Sequence, residues 1–396
     1  MRMRRVVVAA ALVAMAAAPG AQAIPPAPVE TVPCLIALVP EQRVIVQSPV
    51  ALRLPADATR EGELAALDVQ MLVLPTAARA AEVARTLRTT PGVRWAEVDR
   101  PVHAMRTPND PMFVQQWALN TVHAPAAWNV ETGRRNHVLT AVLDTGVDAS
   151  HPELTGHIRA GGDFIDGDTN PMDEFGHGTA VSGVIAASAD NKLGVAGISW
   201  GATVLAERVL GKEGSGSMCT VAAGVVDAVD AGAKVLNMSL GAAGDACPLI
   251  IEKALSYAHD HGALAVVSAG NDGQHGNPVD YPAGCSGAFA VGATDPRDRS
   301  ASFSEHGPQV DITAPGVQVL TTAWEEGGRH GFAFESGTSL SAPIVSGAAA
   351  LLLSRHPDWT PDQVRARLVA TAMDKGKRGR DDYFGAGIVD IGRALR

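Results

Sequence analysis

Four polar residues with the chemistry of a nucleophilic site stand in short motifs of this chain. They are Asp144 in AVLDTG, His177 in EFGHGTAVSG, Asn271 in VVSAGND and Ser339 in SGTSLSAP. A serine hydroxyl is a weak nucleophile and needs a base to take its proton. Histidine is that base near neutral pH, and a buried carboxylate can hold its ring in the required tautomer. Ser339, His177 and Asp144 therefore have the residue types of a catalytic triad.

Such chemistry also needs donors for the negative charge that develops on the attacked oxygen. Ser339 stands at the predicted start of a helix and can offer its own N–H, and Asn271 can offer a side-chain amide. Pro343 follows in the opening turns of that helix, where we expect its missing N–H to cost little. Each motif alone has a simpler explanation as a turn, packing or cap residue. The four together favour catalysis.

The apolar pattern around these motifs predicts alternating strands and helices from residue 138 onward. The runs HVLTAVLD, ATVLAERVL, AKVLNMSLG, ALAVVSAGN and AFAVGAT are typical of strands buried on both faces. Helical patterns lie between most of them, for example HGTAVSGVIAAS and PLIIEKALSYAHDHG. We predict an α/β fold with a mostly parallel sheet and helices on both faces. Ligands of such sheets bind beyond the carboxyl ends of the strands, where Asp144 and Asn271 stand.

Residues 1–23 have the pattern of a secretory signal peptide. A basic MRMRR precedes an apolar run at residues 6–18, which is too short to span a bilayer comfortably, and AQA is a typical cleavage site. A membrane anchor is the alternative. No later segment is long and apolar enough to span a membrane. The sequence therefore predicts a secreted protein, extracellular or periplasmic, in a compartment where disulfides persist.

Residues 24–106 predict a small separate module with a core at about 34–103. CLIALV, RVIVQ, LDVQMLVLP and GVRWAEVD have strand character, and TAARAAEVARTLRTT has helical periodicity. Two βαβ-like halves of this kind indicate an α+β, ferredoxin-like module. The stretch RPVHAMRTPNDP has no periodicity and is typical of a linker. We place the main domain at residues 107–396.

Composition and cysteine usage restrict the classes of partner. The 396 residues are 46% hydrophobic and 19% charged, which suffices for a large core. The formal net charge is −10 with the acidic excess after residue 106, and this argues against nucleic acid. Cys247 and Cys285 lie in glycine- and proline-rich loops and are the preferred disulfide pair. Cys219 opens a helical pattern and is expected to be a buried thiol. The sequence does not settle the pairing, nor the role of Cys34.

The order Asp, His, Asn, Ser and the four motifs resemble the subtilisin-like serine proteases, the subtilases. The resemblance covers roughly residues 107–396. Leu340 and Ser341 stand where Met and Ala are commoner, and Ile344 stands where His is frequent, but no catalytic group is lost. The resemblance implies a monomeric, self-processing serine endopeptidase that cleaves peptides and proteins. It also implies that module 24–106 is a propeptide, a chaperone and inhibitor with WAEVDRPVHAM as its tail, cleaved after Met105 or Arg106.

The resemblance further implies a peptide groove between two edge segments, with the substrate added as a β-strand. Its lining would include Ser215 and Gly216 on one side and Ser239, Leu240 and Gly241 on the other. The S1 pocket, which takes the side chain before the cleaved bond, would have Asp272 and Asp280 at or near it. A carboxylate inside S1 would favour Arg or Lys there. If both carboxylates point to solvent, S1 takes apolar side chains, and the sequence leaves this open.

Two acidic clusters suggest structural Ca²⁺, which prefers hard oxygen ligands. The first resembles a calcium loop of thermitase-like subtilases and comprises Asp163, Asp166, Asp168 and Asn170, with Asp173 beyond. The alternative is an acidic surface loop. The second, by analogy to the strong subtilase site, would join Asp110, Glu153 and Asn191, with Glu153 where Asp is commoner. Outside the enzyme class, the remaining alternative is a catalytically silent peptide-binding protein on the same scaffold.

Overall fold

The computed structural model describes residues 42–49, 52–99, 106–325 and 329–396. The chain divides into two compact units, Met1–His103 and Ala104–Arg396. The predicted signal peptide, the predicted strand CLIALV, Cys34 and residues 100–105 of the predicted linker lie outside the described residues. Within the described residues, no helix is long and apolar enough to cross a membrane.

The described residues of the first unit form an antiparallel sheet with one helix packed against it. Its elements are β1 (Arg43–Gln47), β2 (Thr59–Leu64), β3 (Val69–Val73), α1 (Ala77–Arg88) and β4 (Trp95–Val98), with strand order β2-β3-β1-β4. Alternate residues of β1, such as Val44 and Val46, pack on the apolar face of α1. The predicted second helical crossover is not found, because residues 52–58 between β1 and β2 hold no helix. Strand β2 has the polar sequence TREGEL and is an edge strand, so no apolar pattern marks it.

The second unit is built on a seven-stranded parallel sheet. Seven of the described strands form this sheet and four more lie outside it. The strands of the unit, in chain order, are β5 (Leu139–Asp144), β6 (Ile158–Asp163), β7 (Thr203–Arg208), β8 (Val235–Met238), β9 (Ala242–Ala243), β10 (Leu264–Ser268), β11 (Asp280–Tyr281), β12 (Ala288–Thr294), β13 (Ile312–Pro315), β14 (Val319–Glu325) and β15 (Arg329–Glu335). The main sheet has the order β13-β12-β10-β8-β5-β7-β6, with every pairing parallel. The predicted fold class is confirmed.

Helices cover both faces of this sheet. They are α2 (Trp117–Thr121), α3 (Ala124–Trp128), α4 (His177–Ala186), α5 (Met218–Asp230), α6 (Leu249–Asp260), α7 (Thr338–Arg355), α8 (Pro361–Thr371) and α9 (Ile391–Ala394). One apolar core lies beneath α4 and α7 and a second beneath α5 and α6. Helix α7 is buried along almost its whole length, which explains its nearly continuous apolar sequence. Two small antiparallel pairs, β9 with β11 and β14 with β15, lie outside the main sheet.

The cysteines differ from the prediction in one respect. A disulfide joins Cys247 to Cys285 with a Cα–Cα distance of 5.1 Å, and this is the preferred pair. Cys219 is free but exposed, so the expectation of a buried thiol is wrong. It is the second residue of the amphipathic helix α5, whose buried face begins at Val221. An apolar pattern predicts that a helix has a buried face, but it does not predict that the first turn takes part in it.

Candidate active site

Asp144 and His177 form a hydrogen-bonded pair at the carboxyl end of β5, an inner strand of the main sheet. Asp144 is the last residue of β5 and fully buried, and His177 is the first residue of α4. Nδ1 of His177 lies 2.8 Å from Oδ1 of Asp144. Gly178 permits this approach, because a Cβ there would lie 2.1 Å from the carbonyl oxygen of Gly146. The glycine beside the histidine is thus a packing requirement.

The electrostatics of this pair favour the imidazolium form. Burial by itself lowers the pKa of His177, because the charged ring loses hydration. The Asp144 carboxylate outweighs burial through its charge and hydrogen bond, with smaller contributions from Asp173 and Glu335, and the pKa of His177 is raised. A ring of this kind can take a proton at Nε2 while its Nδ1–H stays bonded to Asp144.

Asp173 connects the two elements that carry the pair, a role the sequence did not indicate. The hydroxyls of Thr145, next to Asp144, and of Thr179, on α4, donate to the buried Asp173 carboxylate at 2.8 and 2.6 Å. The N–H groups of Phe175 and Gly176 also donate to it. Sequence reasoning counted Asp173 at the edge of an acidic cluster, but its hydrogen bonds anchor the start of α4.

Ser339 is the second residue of α7, and its carbonyl has an unusual partner. Pro343 is the sixth residue of the helix, so its missing N–H leaves the Ser339 carbonyl without the ordinary bond from residue i+4. Pro343 therefore lies beyond the first turn of α7, and its missing N–H removes one bond of the helix. The hydroxyl of Ser239, which follows β8, donates to that carbonyl at 2.8 Å instead. The loop after β8 thus satisfies the carbonyl of Ser339 and holds the start of α7.

Thr338 determines how the side chain of Asn271 is oriented. Its N–H and its hydroxyl both donate to Oδ1 of Asn271, at 2.9 and 3.0 Å. The same hydroxyl accepts a bond from the N–H of Gly270. With Oδ1 held in this way, Nδ2 of Asn271 is the atom left to donate to a ligand. Thr338 was not among the predicted site residues, although its place beside Ser339 was a possible signal.

His177, Asn271 and Ser339 line one cleft of about 360 Å³. Trp324 and Glu335 of the hairpin β14–β15 form part of its rim. In this structure the hydroxyl of Ser339 donates to the carbonyl of Ser239 at 3.3 Å rather than to His177. Catalytic hydrogen bonds are often long or misaligned in unliganded enzymes and tighten when substrate is bound. Three of the four predicted catalytic residues thus line one space that a reacting group can enter, and the buried Asp144 bonds to the His177 ring.

The five predicted groove residues line a second cleft, of about 450 Å³, which also reaches His177. Ser215 and Gly216 belong to the segment before α5, and Ser239, Leu240 and Gly241 lie between β8 and β9. Phe175 and Leu210 add apolar surface. The cleft therefore lies between two stretches of chain, as β-strand addition of a peptide requires.

Residues 273–279 separate the two predicted S1 carboxylates along the chain. Asp280, the first residue of β11, is half-buried, and Asp272 is exposed. Burial, and after it the charge of Asp272, raises the pKa of Asp280. A third carboxylate, the fully buried Glu305, lies beneath them and was missed. Its sequence ASFSEHG has no local feature that marks it as part of a site.

The first predicted calcium cluster contains a basic side chain, Arg208. The guanidinium of Arg208, itself buried, bonds the carboxylate of Asp163 at 2.7 Å and that of Asp166 at 2.6 Å, and it also pairs with Glu174. The carboxylate of Asp168 is tied to the N–H of Asn170. Within the described residues no group of three or more His, Cys, Asp or Glu is arranged to hold a metal. Arg208 thus supplies a positive charge to Asp163 and Asp166, and calcium binding by Asp163, Asp166, Asp168 and Asn170 stays a prediction.

The second predicted cluster does come together, with an excess of negative charge. Asp110 and Glu153 are buried, and Nδ2 of Asn191 donates to Glu153 at 2.8 Å. Burial, with a contribution from the charge of Asp110, raises the pKa of Glu153 to about 7, and burial also raises the pKa of Asp110. No Lys or Arg pairs with either carboxylate in the described part of the chain. The charge of this cluster suits a hard cation, although Asn191 presents nitrogen rather than oxygen to Glu153.

Comparisons with known proteins agree with this geometry. The model of the Subtilase family matches residues 135–387. The chain is 40% identical over 274 residues to the thermophilic serine proteinase of Bacillus sp. (strain AK1). The match covers 69% of this chain and 66% of that relative, so the chain spans slightly less than two thirds of the relative's length. It is 38% identical over 291 residues to thermitase of Thermoactinomyces vulgaris, covering 73% and 99%. A solved structure of proteases from Pseudoalteromonas arctica PAMC 21717 matches with a TM-score of 0.67 and 31% identity, covering 73% of this chain and 99% of that one.

Proposed function

The chain belongs to the subtilase family and is a serine-type endopeptidase, and from this premise we propose that Ser339, His177 and Asp144 are its catalytic triad. The observation that carries the assignment is the 2.8 Å bond between His177 and the buried Asp144, with Ser339 on the same cleft. The family implies a peptide substrate, and these three residues account for how its peptide bond is cleaved.

The proposed reaction proceeds through an acyl-enzyme. Ser339 Oγ attacks the scissile carbonyl carbon while His177 Nε2 takes the hydroxyl proton, and Asp144 orients and stabilises the resulting imidazolium. Nδ2 of Asn271 and the N–H of Ser339 donate to the oxyanion. His177 then returns the proton to the leaving amine as the C–N bond breaks. Water, deprotonated by His177, attacks the acyl carbon and restores the Ser339 hydroxyl.

The groove between the segments 214–218 and 238–242 is proposed to bind the peptide as an added strand. Main-chain bonds of this kind bind many sequences alike, so selectivity has to come from the side-chain pockets. The exposed Phe175, at the cleft's rim, suits an apolar substrate side chain.

We propose that the protein is made as a secreted precursor and acts as a monomer. Residues 1–23 would direct export, and residues 24–106 would be the propeptide that assists folding and inhibits until it is cleaved after Met105 or Arg106. The four-stranded sheet with α1 supports this, because it forms a compact unit with its own core.

A structural cation is proposed for the cluster of Asp110 and Glu153 alone. Two buried carboxylates without a basic partner repel one another, and Ca²⁺ held by their oxygens would supply the missing positive charge. The Arg208 cluster is not proposed as a metal site.

The proposal is tested by the intact mass and N-terminal sequence of purified wild type, Ser339→Ala and the control Ser336→Ala, all in calcium at neutral pH. We expect wild type and Ser336→Ala to lose residues 24–106 and Ser339→Ala to keep them. A fluorophosphonate should label the mature wild type at Ser339. If wild type is neither cut nor labelled, the silent peptide-binding protein becomes the better explanation.

A further inference from the structure

Glu305 is a buried carboxylate directly behind one wall of the predicted S1 pocket. Glu305 is fully buried. Its Oε1 accepts a hydrogen bond from the N–H of Asp272 at 3.3 Å, and its Oε2 accepts one from the N–H of Asp280 at 3.2 Å. It therefore fastens together the two chain segments that carry the other acidic residues of the pocket. The triad does not use it.

Gly270, the residue before Asn271, packs directly against the Glu305 carboxyl group. A Cβ on Gly270, whose φ is +117°, would lie 2.3–2.5 Å from the Glu305 carboxyl group. Because Gly270 has no side chain, the Glu305 carboxyl group lies directly against the backbone that leads to Asn271. Only the thickness of one backbone segment then separates the negative charge of Glu305 from the predicted pocket. The low dielectric constant of the protein interior strengthens the electrostatic effect of that charge.

Asp280 lies beside Gly241, in the opposite wall of the predicted S1 pocket. Its Oδ2 lies 3.3 Å from the position that a Cβ on Gly241 would occupy, so the carboxylate adjoins the wall formed by Ser239–Gly241. Strand β11, which begins at Asp280, pairs with β9 and keeps this segment in register with that wall. Among the described residues no donor to the Asp280 carboxylate is found. This carboxylate is available to a ligand.

The pocket has a charge imbalance that a positive group would relieve. In the described part of the chain no Lys or Arg pairs with Asp272, Asp280 or Glu305, and the partner of Asp272 is the exposed His275, at 3.4 Å. Burial, then the charges of Asp280 and Asp272, raises the pKa of Glu305 to about 7. Three carboxylates this close favour a compact cation over an apolar side chain.

We propose that Glu305 and Asp280 make S1 a pocket for a basic side chain, so that the enzyme cleaves after Arg or Lys. Asp280 contacts the guanidinium or ammonium group of the substrate. Glu305 is a positioning residue that holds the Asp272 and Asp280 segments and adds negative potential from below. This inference rests on the proposed function, because it names the substrate class of the same site.

The test compares matched peptides that differ only in the residue before the cleaved bond: Arg, its neutral near-isostere citrulline, and Phe. The measured quantity is the ratio of kcat/KM for Arg to that for citrulline, with active enzyme counted by fluorophosphonate titration. Wild type is compared with Asp280→Asn, Glu305→Gln and a distant exposed control, Asp358→Asn. A buried charge-assisted hydrogen bond implies a ratio of about tenfold or more in wild type and a loss of about tenfold in each pocket variant.

A pH series separates the electrostatic role of Glu305 from a merely structural one. The titratable groups around it are Asp272, Asp280, His275 beside Asp272, and His306, whose ring stacks on Tyr383. Because Glu305 is charged only above its raised pKa, the Arg-to-citrulline ratio of wild type should rise with pH through about 7. In Glu305→Gln this rise should be lost.

Several results would overturn the inference. A wild-type ratio near one with rapid cleavage after Phe means an apolar pocket, and so does a ratio that neither variant changes. If added Ca²⁺ abolishes the preference for Arg and a chelator restores it, a free cation rather than the substrate side chain occupies the site. An enzyme that cleaves none of the peptides and takes up no fluorophosphonate contradicts the proposed function itself, which is a separate result. Asp280→Asn keeps the test decisive if Glu305→Gln fails to fold.

Discussion

The hydroxyl of Ser239 donates to the main-chain carbonyl of Ser339 at 2.8 Å, in place of the helix bond that Pro343 cannot make. The Ser239 hydroxyl in turn accepts a hydrogen bond from Nδ2 of Asn237. Oδ1 of Asn237 accepts a hydrogen bond from the hydroxyl of Ser346, which lies on α7 as Ser339 does. A buried chain of polar groups therefore joins the end of β8 to α7 at two points. It fixes the proposed nucleophile against the groove wall without a continuous helical hydrogen-bond ladder.

We expect Ser239→Ala to lower the free energy of unfolding by about 1–3 kcal/mol, because it leaves a buried carbonyl without a donor. In a Pro343→Ala background, the restored N–H should reduce that loss by about 1 kcal/mol. Denaturant unfolding of all four combinations, each carrying Ser339→Ala to prevent self-cleavage, measures this coupling. Equal losses in both backgrounds would show that the two groups do not share the carbonyl.

The raised pKa of His177 predicts the acid limb of the pH–rate profile. His177 must be neutral to accept the Ser339 proton, so kcat/KM should fall as pH drops through a pKa above the ordinary value of 6.5. Glu335→Gln removes one of the charges that raise this pKa and should move the limb to lower pH, more at low salt than at high salt. Asp358→Asn is the distant control, and a limb that stays in place in Glu335→Gln contradicts the assignment.

Arg208→Met should destabilise the acidic loop, because it leaves carboxylates clustered around an uncharged side chain. Removing one partner of a buried ion pair typically costs about 3–5 kcal/mol. Arg299→Ala is the matched control: it breaks the exposed pair with Asp295 and should cost about 1 kcal/mol or less. Urea unfolding in the Ser339→Ala background measures both. If Arg208→Met is as stable as its parent until chelator is added, the loop is a calcium site after all.

The stabilising effect of Ca²⁺ should depend on pH through Glu153. Its pKa is raised in the folded protein, so without a cation its contribution to stability is present below the ordinary value of 4.5 and is lost as pH rises through about 7. A cation bound to the charged form offsets that loss. We expect saturating Ca²⁺ to raise Tm by about 5 °C at pH 8.5 and far less at pH 5.

Glu153→Gln supplies the control for that prediction. It removes one of the two carboxylates that would hold the cation, so the response of Tm to Ca²⁺ and to chelator should shrink at every pH. A full response in Glu153→Gln would place the cation elsewhere. Differential scanning calorimetry of the Ser339→Ala protein measures both variants without autolysis.

Local sequence patterns predicted five of the seven strands of the parallel sheet and the four helices α4 to α7, because buried strands and buried or amphipathic helices carry apolar patterns. They did not predict β2, β6 or β13. Strand β2 is polar and lies at an edge, β6 has the glycine-containing sequence IRAGGD, and β13 is only four residues long. Elements with little apolar surface leave little trace in a pattern that reports burial.

The types and order of Asp144, His177, Asn271 and Ser339 were readable from the sequence, because each stands in a motif next to an element that positions it. The roles of Arg208 and Glu305 were not. Arg208 lies 45 residues from Asp163 and Glu305 lies 33 from Asp272, and only the fold brings these partners together. The sequence by itself determined which chemical groups the protein carries. The tertiary structure decided which charges meet, because pairing in a buried site depends on distances that no local pattern encodes.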